Sequence, residues 1–317
     1  MSHRHLTITE REVIMSETAA GKNITQVARL VGRNKSTVSR ELRRNLCGNN
    51  YSPSKAQSAY EERRCNCKRE LILNDCKILL VVQECLQKHW SPEQIVGREK
   101  ISISARTIYR AIDNGILDKR YKECLRRKGK AYKYKRNGEE TRGKLVDCQP
   151  IDIRPPEIAA RYRIGDWEGD TVLGTPGTGG IVTLVDMNTR FLVALKVKDK
   201  GARTVAEQVL RGLDGLPCHS ITFDNGKEFA RHKEMAAGLG TQVYFAHPHS
   251  PWERGTNENT NGLIREYLPK GTDFRNYTDE DVEAVVKSLN NRPRKVLDYK
   301  TPAEAFLQNS VAFGLTN

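Results

Sequence analysis

The chain has 317 residues, with 53 Lys and Arg against 39 Asp and Glu, for a formal net charge of +14. That length suits about two domains; 38% hydrophobic residues suffice for a core, and no stretch approaches the ~18 uncharged apolar residues of a membrane-spanning helix. The opening MSHRHLTITE has no apolar h-region, so no secretory signal is expected. The eight cysteines contain no CxxC pair, and only Cys65 and Cys67 sit close together. That spacing argues against a zinc ribbon and for reduced thiols in a cytosolic protein. The charge is lopsided. Residues 1–150 hold 32 basic and 17 acidic residues, whereas residues 151–317 hold 21 and 22. A polyanion-binding half joined to a half with another task is the natural reading; a merely solvated basic surface is the plain alternative.

Thr9-x-x-Glu12 forms a capping box, so a helix is predicted from there to about Ala20, stopped by Gly21-Lys22-Asn23. Thr25 is expected to cap a short second helix that ends at Gly32. A third follows over Ser36–Arg44, with Val38 and Leu42 four apart as its buried stripe. Its free faces carry Lys35, Thr37, Ser39, Arg40, Arg43 and Arg44. Two short helices on a tight glycine turn, the second polar and basic, make a helix-turn-helix over residues 1–48. Short polar side chains and Arg can reach base edges there, while Lys and Arg reach phosphates. An ordinary three-helix bundle with a charged surface is the competing reading.

Residues 49–88 read as a charged helical spacer. Ser91-Pro92-Glu93-Gln94 then combines a capping box with proline at the first helical position. Gly97 is expected to close that helix. Ser104 caps the next, Ala105–Asp113, with Ile108 and Ile112 inside and Arg106, Thr107, Tyr109 and Arg110 left for a groove. Residues 89–118 are thus a second helix-turn-helix. Residues 119–150 form a basic linker. Its stretch 119–144 has 12 Lys and Arg against 3 acidic residues and no apolar period; Arg126, Arg127 and Lys128 are its phosphate-contact candidates.

Residues 151–317 alternate strands and helices, which predicts a mixed sheet flanked by helices. Strands are expected at Arg163–Val172, Ile181–Val185, Phe191–Val197, Ser220–Phe223 and Gln242–Ala246. Helices are expected at Thr204–Leu213, Lys227–Leu239, Thr256–Leu268, after Asp279 and near Pro302–Phe306. Asp170 lies on the first strand, Asp224 at the end of a later one, and Glu258 in the first turn of a helix. Fifty-three residues lie between the first two and 33 between the last two. Such a trio can converge on one sheet edge and hold two Mg²⁺ ions for an in-line phosphoryl transfer. Each also has an ordinary reading: a solvated strand residue, an Asx turn before Asn225-Gly226, and a favourable charge at a helix N-terminus. Glu168 and Asp166 share the strand face of Asp170 and are its rivals. Asp186 belongs to a hairpin turn, with Arg190 as its expected partner, and Glu253 to a loop. His247 and His249 could be metal ligands, but a loop role near the site is the favoured reading, because carboxylates suffice for Mg²⁺.

These residues fall in recognisable strings. Trp167-Glu168-Gly169-Asp170 resembles the opening of a retroviral-integrase-like core, and Asp224-Asn225-Gly226-x-Glu228-Phe229 resembles its second motif. Ala246-His247-Pro248-His249-Ser250-Pro251-Trp252-Glu253-Arg254-Gly255-Thr256-Asn257-Glu258-Asn259-Thr260-Asn261-Gly262-Leu263-Ile264-Arg265 resembles the third. With the two helix-turn-helix units, the chain resembles the insertion-sequence-30 family of DDE transposases over nearly its whole length. The resemblance implies a ribonuclease-H-like fold for residues 151–317 and a triad of Asp170, Asp224 and Glu258 serving as both catalytic and metal-binding residues. It implies two divalent ions, Mg²⁺ or alternatively Mn²⁺, and a phosphate contact from Arg265. It also implies binding to the terminal inverted repeats of a mobile element, cleavage freeing a 3′-OH, and strand transfer into target DNA without a covalent protein–DNA intermediate. The implied partner is double-stranded DNA, bound by a dimer or larger assembly in the bacterial cytoplasm at the nucleoid. One departure is Asp166, where the family pattern leads one to expect His. A metal nuclease that cuts without joining, and a DNA-binding regulator with an inactive core, are the other classes that fit.

Overall fold

The first helix begins slightly before its expected start. In the computed structural model α1 spans Ile8–Ala19, capped by Thr7, with Glu10 closing the capping box. Thr7-x-x-Glu10 and Thr9-x-x-Glu12 both satisfy the local rule. Tertiary contacts choose the earlier one: Glu10 pairs with Arg33 at 3.0 Å, and Leu6, just before the cap, is buried. The structure describes residues 5–47, 50–66, 75–126, 128, 148–248 and 250–312. Among them no helix is long and apolar enough to cross a membrane.

Two units form, Met1–Asn74 and Asp75–Asn317. In the first, α2 (Ile24–Val31) is capped by Asn23 rather than Thr25 and ends at Gly32, whose φ of 67° glycine takes without strain. Then come α3 (Lys35–Asn45), a short hairpin of β1 (Leu46–Cys47) and β2 (Asn50–Tyr51), and α4 (Pro53–Asn66). Ile14, Val27, Val38, Leu42 and Ala56 form the core. Inside it Arg11 is buried against Glu41 at 2.7 Å, and the Tyr51 hydroxyl donates to the same Glu41 oxygen at 3.0 Å.

The expected spacer 49–88 is therefore divided. Its first helix packs on α1 and α3, while α5 (Cys76–Gln87) belongs to the second unit, against α6 (Pro92–Glu99) and α8 (Tyr121–Cys124). Gly97 does not close α6. The helix continues to Glu99 and ends at Lys100 in a left-handed conformation, φ 49°. Between α6 and α8 lies α7 (Ala105–Asp113), capped by Ser104 as expected. Of the basic linker, residues 127 and 129–147 lie outside the described residues.

After the short α9 (Pro156–Ala160), the chain builds a five-stranded sheet from β3 (Asp166–Leu173), β4 (Gly180–Asp186), β5 (Leu192–Val197), β6 (Ser220–Phe223) and β7 (Gln242–Phe245). The order is β5-β4-β3-β6-β7. β3–β4 and β4–β5 are antiparallel, while β3–β6 and β6–β7 are parallel. α10 (Ala202–Leu213) and α11 (His232–Leu239) cover one face through Val205, Val209 and Met235, on a core that includes Trp167 and Phe223. α11 is shorter than expected, because Lys227–Phe229 is a separate 3-10 turn. α12 (Gly255–Tyr267) and α13 (Asp279–Asn290) cover the other face through Leu263, Ile264, Val282 and Leu289, on a core that includes Val172. α14 (Pro302–Ala312) adds Phe306 to the first face. Side chains alternate along a strand, so Asp166, Glu168 and Asp170 share the face of Val172, under α12.

Candidate active site

β3 pairs with β6 at Asp166–Ser220, Trp167–Ile221 and Glu168–Thr222. Two further steps along each parallel strand bring Asp170 abreast of Asp224. Asp224 stands just past the carboxyl end of β6, and Asp170 beside it in the middle of β3. The guanidinium of Arg254 confirms the approach. It lies 3.6 Å from Asp170 Oδ2 and 3.5 Å from Asp224 Oδ2, and donates to the Gly169 carbonyl at 3.1 Å.

Each carboxylate is separately held. Asp170 Oδ1 accepts from the Thr171 amide at 2.8 Å, and its Oδ2 from Asn261 Nδ2 at 2.9 Å. Asp224 Oδ1 accepts from the Gly226 amide at 3.0 Å, so the Asx turn is real as well. Burial pushes the Asp170 carboxyl up from its ordinary range; Arg254 pulls it back, and the Asp224 charge pushes it further up.

Glu258 stands exposed in the first turn of α12, three residues before Asn261. It lines a cavity of about 530 Å³ with Arg126, Asn259, Asn261, Gly262, Arg265 and Lys270. Arg126 crosses α12 at Gly262, where a Cβ would come within 2.5 Å of its Nη2, and donates to Asn259 Oδ1 at 3.0 Å. Among the described residues, no three His, Cys, Asp or Glu side chains surround one point closely enough to hold a metal. The structure thus joins Asp170 to Asp224 and leaves Glu258 on the adjoining helix.

The rival carboxylates have structural partners. Asp166, in the departing position, is buried between Arg163 at 2.7 Å and the Ser220 hydroxyl at 2.6 Å. Buried Glu168 pairs with Arg161 at 3.3 Å and accepts from the Asn257 amide at 3.1 Å, satisfying a free N–H in the first turn of α12. Asp186 accepts from the amides of Gly165 and Thr189 and from the Thr189 hydroxyl. Arg190, its expected partner, donates instead to Thr256. His247 pairs with Glu253 and Asp152; His249 lies outside the described residues.

Of the residues expected to contact DNA, Lys35, Arg40, Arg43 and Arg44 are exposed on α3, with Thr37 and Ser39 half-buried; Arg106 and Arg110 are exposed on α7, with Thr107 half-buried. Arg126 and Lys128 are exposed, and Arg127 lies outside the described residues. Arg265 lines the cavity beside Glu258 and is half-buried. Its guanidinium donates to the carbonyls of Leu173 at 2.7 Å and of Leu268 and Pro269 at 3.3 Å, tying α12 to the end of β3.

Residues 2–45 match the family model described as a helix-turn-helix domain. The transposase for insertion sequence element IS4351 of Bacteroides fragilis is 39% identical, over 98% of this chain and 99% of its own. The transposase for IS1086 of Cupriavidus metallidurans is 35% identical, over 96% and 95%. The transposase InsI for IS30C of Escherichia coli K12 is 38% identical, over 95% and 82%. The chain belongs to the insertion-sequence-30 family of transposases. Among solved structures, the catalytic core domain of BIV integrase is similar over 47% of this chain and 98% of its own, at 20% identity and a TM-score of 0.40.

Arg254, Asn261 and Glu228 also stand at this corner, with no role assigned to them from the sequence. Arg254 and Asn261 stand four before and three after Glu258, one helical turn either way, and that spacing was the available signal. Glu228 is buried. Its Oε1 accepts from the Thr171 hydroxyl at 3.1 Å, and its Oε2 has no hydrogen-bond partner among the described residues. That orphaned oxygen and Asp224 Oδ1 both lie within 3 Å of where a Cβ on Gly226 would sit. Glu228 also pairs with Lys200 at 3.4 Å; the oxygens of Asp170 and Asp224 are hard donors of the kind a divalent ion takes, with the unpartnered Glu228 oxygen near Asp224.

Proposed function

We propose that this chain moves its own insertion sequence. It binds the terminal inverted repeats, cleaves there with the help of divalent ions to free a 3′-OH, and joins that hydroxyl to target DNA. The supporting observation is the approach of Asp170 on β3 to Asp224 at the end of β6, both within 3.6 Å of the Arg254 guanidinium, beside the helix that carries Glu258. Asp170 and Asp224 would hold the ions, with Glu258 completing the set from α12. When bound, two Mg²⁺ or Mn²⁺ ions would supply charge neutralisation and polarise the attacking and leaving oxygens.

The rest of the work falls to the chain. Thr171, Asn261 and Gly226 orient the two aspartates through the hydrogen bonds above. Glu168 anchors the start of α12 and thereby sets the position of Glu258. Arg126 and Lys270 line the cavity beside Glu258 and give a DNA backbone its phosphate contacts. The exposed cations of α3 read the element end, and those of α7 contact a further stretch of DNA. Two ends must be cut and joined together, so a dimer or larger assembly acts on DNA.

A strand-transfer assay tests this. Labelled DNA from the element's own ends is mixed with a plasmid target in Mg²⁺ or EDTA, using wild type and Asp224→Asn. The expected result is joined product in Mg²⁺ that vanishes in EDTA and in the variant. Cleavage without joining would assign a nuclease. Salt-sensitive binding with neither reaction would assign a regulator and remove the catalytic role of the trio.

A further inference from the structure

The position of Arg254 goes beyond a supporting ion pair. Every hydrogen bond that orients the Asp170 and Asp224 carboxylates comes from elsewhere: the Thr171 amide, Asn261 Nδ2 and the Gly226 amide. Arg254 reaches both groups only at ion-pair range, 3.5 and 3.6 Å, and its hydrogen bond at this corner goes to the Gly169 carbonyl. It therefore supplies charge to the pair rather than shape. The residue is mostly shielded, its side chain 14% exposed, so that charge is weakly screened. It comes from the 3-10 turn Pro251–Arg254 that leads into α12, four residues before Glu258, and not from the sheet that fixes the aspartates.

We propose that Arg254 is a built-in counter-cation. In the metal-free protein it neutralises Asp170 and Asp224, and it has to leave them when divalent ions enter. A guanidinium and a divalent ion cannot share the same two oxygens, so each Arg254 contact competes with metal. The carboxylates keep their orientation when the arginine departs, because their hydrogen-bond donors stay behind. The displaced guanidinium then stands one helical turn before Glu258, next to the cavity where a DNA backbone would lie. The inference rests on the metal-dependent reading proposed above, and its test keeps the two apart.

The test uses the full-length protein without DNA, with Mn²⁺ alone as the probe, free Mn²⁺ being counted by electron paramagnetic resonance. Thermal unfolding is followed in parallel in EDTA and at saturating Mn²⁺. A closed state that must open before metal binds weakens apparent affinity by its population, so Arg254→Gln is expected to tighten Mn²⁺ binding by about tenfold. The same variant is expected to melt below wild type in EDTA, where two carboxylates face each other uncompensated, and to recover at saturating Mn²⁺. A purely structural arginine would give a deficit that metal does not repair. Arg254→Lys, which keeps the charge, is expected to stay close to wild type in both readouts, and it carries the test if Arg254→Gln fails to fold: lysine binding metal as tightly as a neutral residue should would then refute the idea. Wild type that binds Mn²⁺ while Arg254→Gln binds it equally or more weakly overturns the counter-cation and leaves the metal site standing. Binding by neither protein overturns the metal reading and this inference with it.

Discussion

Gly97→Ala should change the sign of its effect according to what stands at position 299. Gly97 lies inside α6, and a Cβ there would come within 2.3 Å of Cε1 and Cζ of the Tyr299 ring. Carbon atoms prefer about 3.5–4.0 Å, so the ring must swing away. Tyr299 cannot follow easily: its backbone is already left-handed, φ 60°, beside Asp298 at 52°. Overpacking of this kind costs about 1–3 kcal/mol, against a gain of about 1 kcal/mol from replacing glycine within a helix. In the wild-type background the clash should win, leaving a net loss of about 0–2 kcal/mol. With Tyr299→Ala in place the clash is gone, and Gly97→Ala should stabilise by about 1 kcal/mol. Urea unfolding of the four proteins measures both values and their coupling, which should be about 1–3 kcal/mol. The same sign in both backgrounds, or a coupling within the ~0.5 kcal/mol of ordinary additivity, would refute the interlock. The interlock matters because it joins α6 to the segment that leads into α14. Gln94, on the same helix, donates to the Pro293 carbonyl and accepts from Arg292 at 3.0 Å, and Arg98 pairs with Glu304.

Glu41→Ala leaves Arg11 buried without its partner, a loss of about 3–5 kcal/mol. A unit the size of Met1–Asn74 has about 4–11 kcal/mol in total, so calorimetry should show its transition collapsing while that of Asp75–Asn317 stays, with DNA binding lost. An unchanged first transition would mean that the Arg11–Glu41 pair contributes little. The Arg98–Glu304 contact should fail in acid. The Arg98 hydrogen bond holds the Glu304 carboxyl below its ordinary 4.5. Its contribution is therefore complete above that value and disappears as pH falls through the lowered one. Glu304→Gln should accordingly lower the urea midpoint at neutral pH, by an amount that shrinks as the pH is taken below the ordinary carboxylate range, and a pH-independent difference would contradict the sign. Gly169→Ala would drive a Cβ to 2.2 Å from the Phe223 ring in the sheet core, so it should unfold the second unit at lower urea; a midpoint equal to wild type would show that the ring has room to move.

The helix-turn-helix could be read from local signals because its rules are local. Val38 and Leu42 share a helix face, and only glycine takes the φ of Gly32 without strain. The ends were less legible wherever two residues met the same rule, as with Thr7 and Thr9 or Asn23 and Thr25, since a capping box does not include the Arg33 that selects Glu10. Arg11 was invisible for a stronger reason. A charged residue enters a core only with a partner, and that partner lies 30 residues away. Gly97 looked like a stop because glycine often ends helices. Its actual cause is a tyrosine ring some two hundred residues later, which no local pattern contains.

The active-site corner was ambiguous in sequence for a related reason. Period two places Asp166, Glu168 and Asp170 on one face and gives no ground for choosing among them. The choice comes from what each meets. Asp166 meets Arg163 and Ser220, and Glu168 meets Arg161 and the start of α12; both are buried and fully engaged in holding the sheet to its surroundings. Asp170 alone meets a cation that supplies charge without the hydrogen bonds that orient it, together with a second carboxylate on the neighbouring strand. A carboxylate whose orientation is secured independently of its charge partner can exchange that partner, whereas one oriented by its arginine cannot. That difference separates an exchangeable ion pair from a structural one more sharply than burial does, since all three carboxylates are largely withdrawn from solvent. Arg254 and Asn261, four residues before Glu258 and three after it, are the parts of the string around it that reach Asp170, one with charge and the other with an orienting amide.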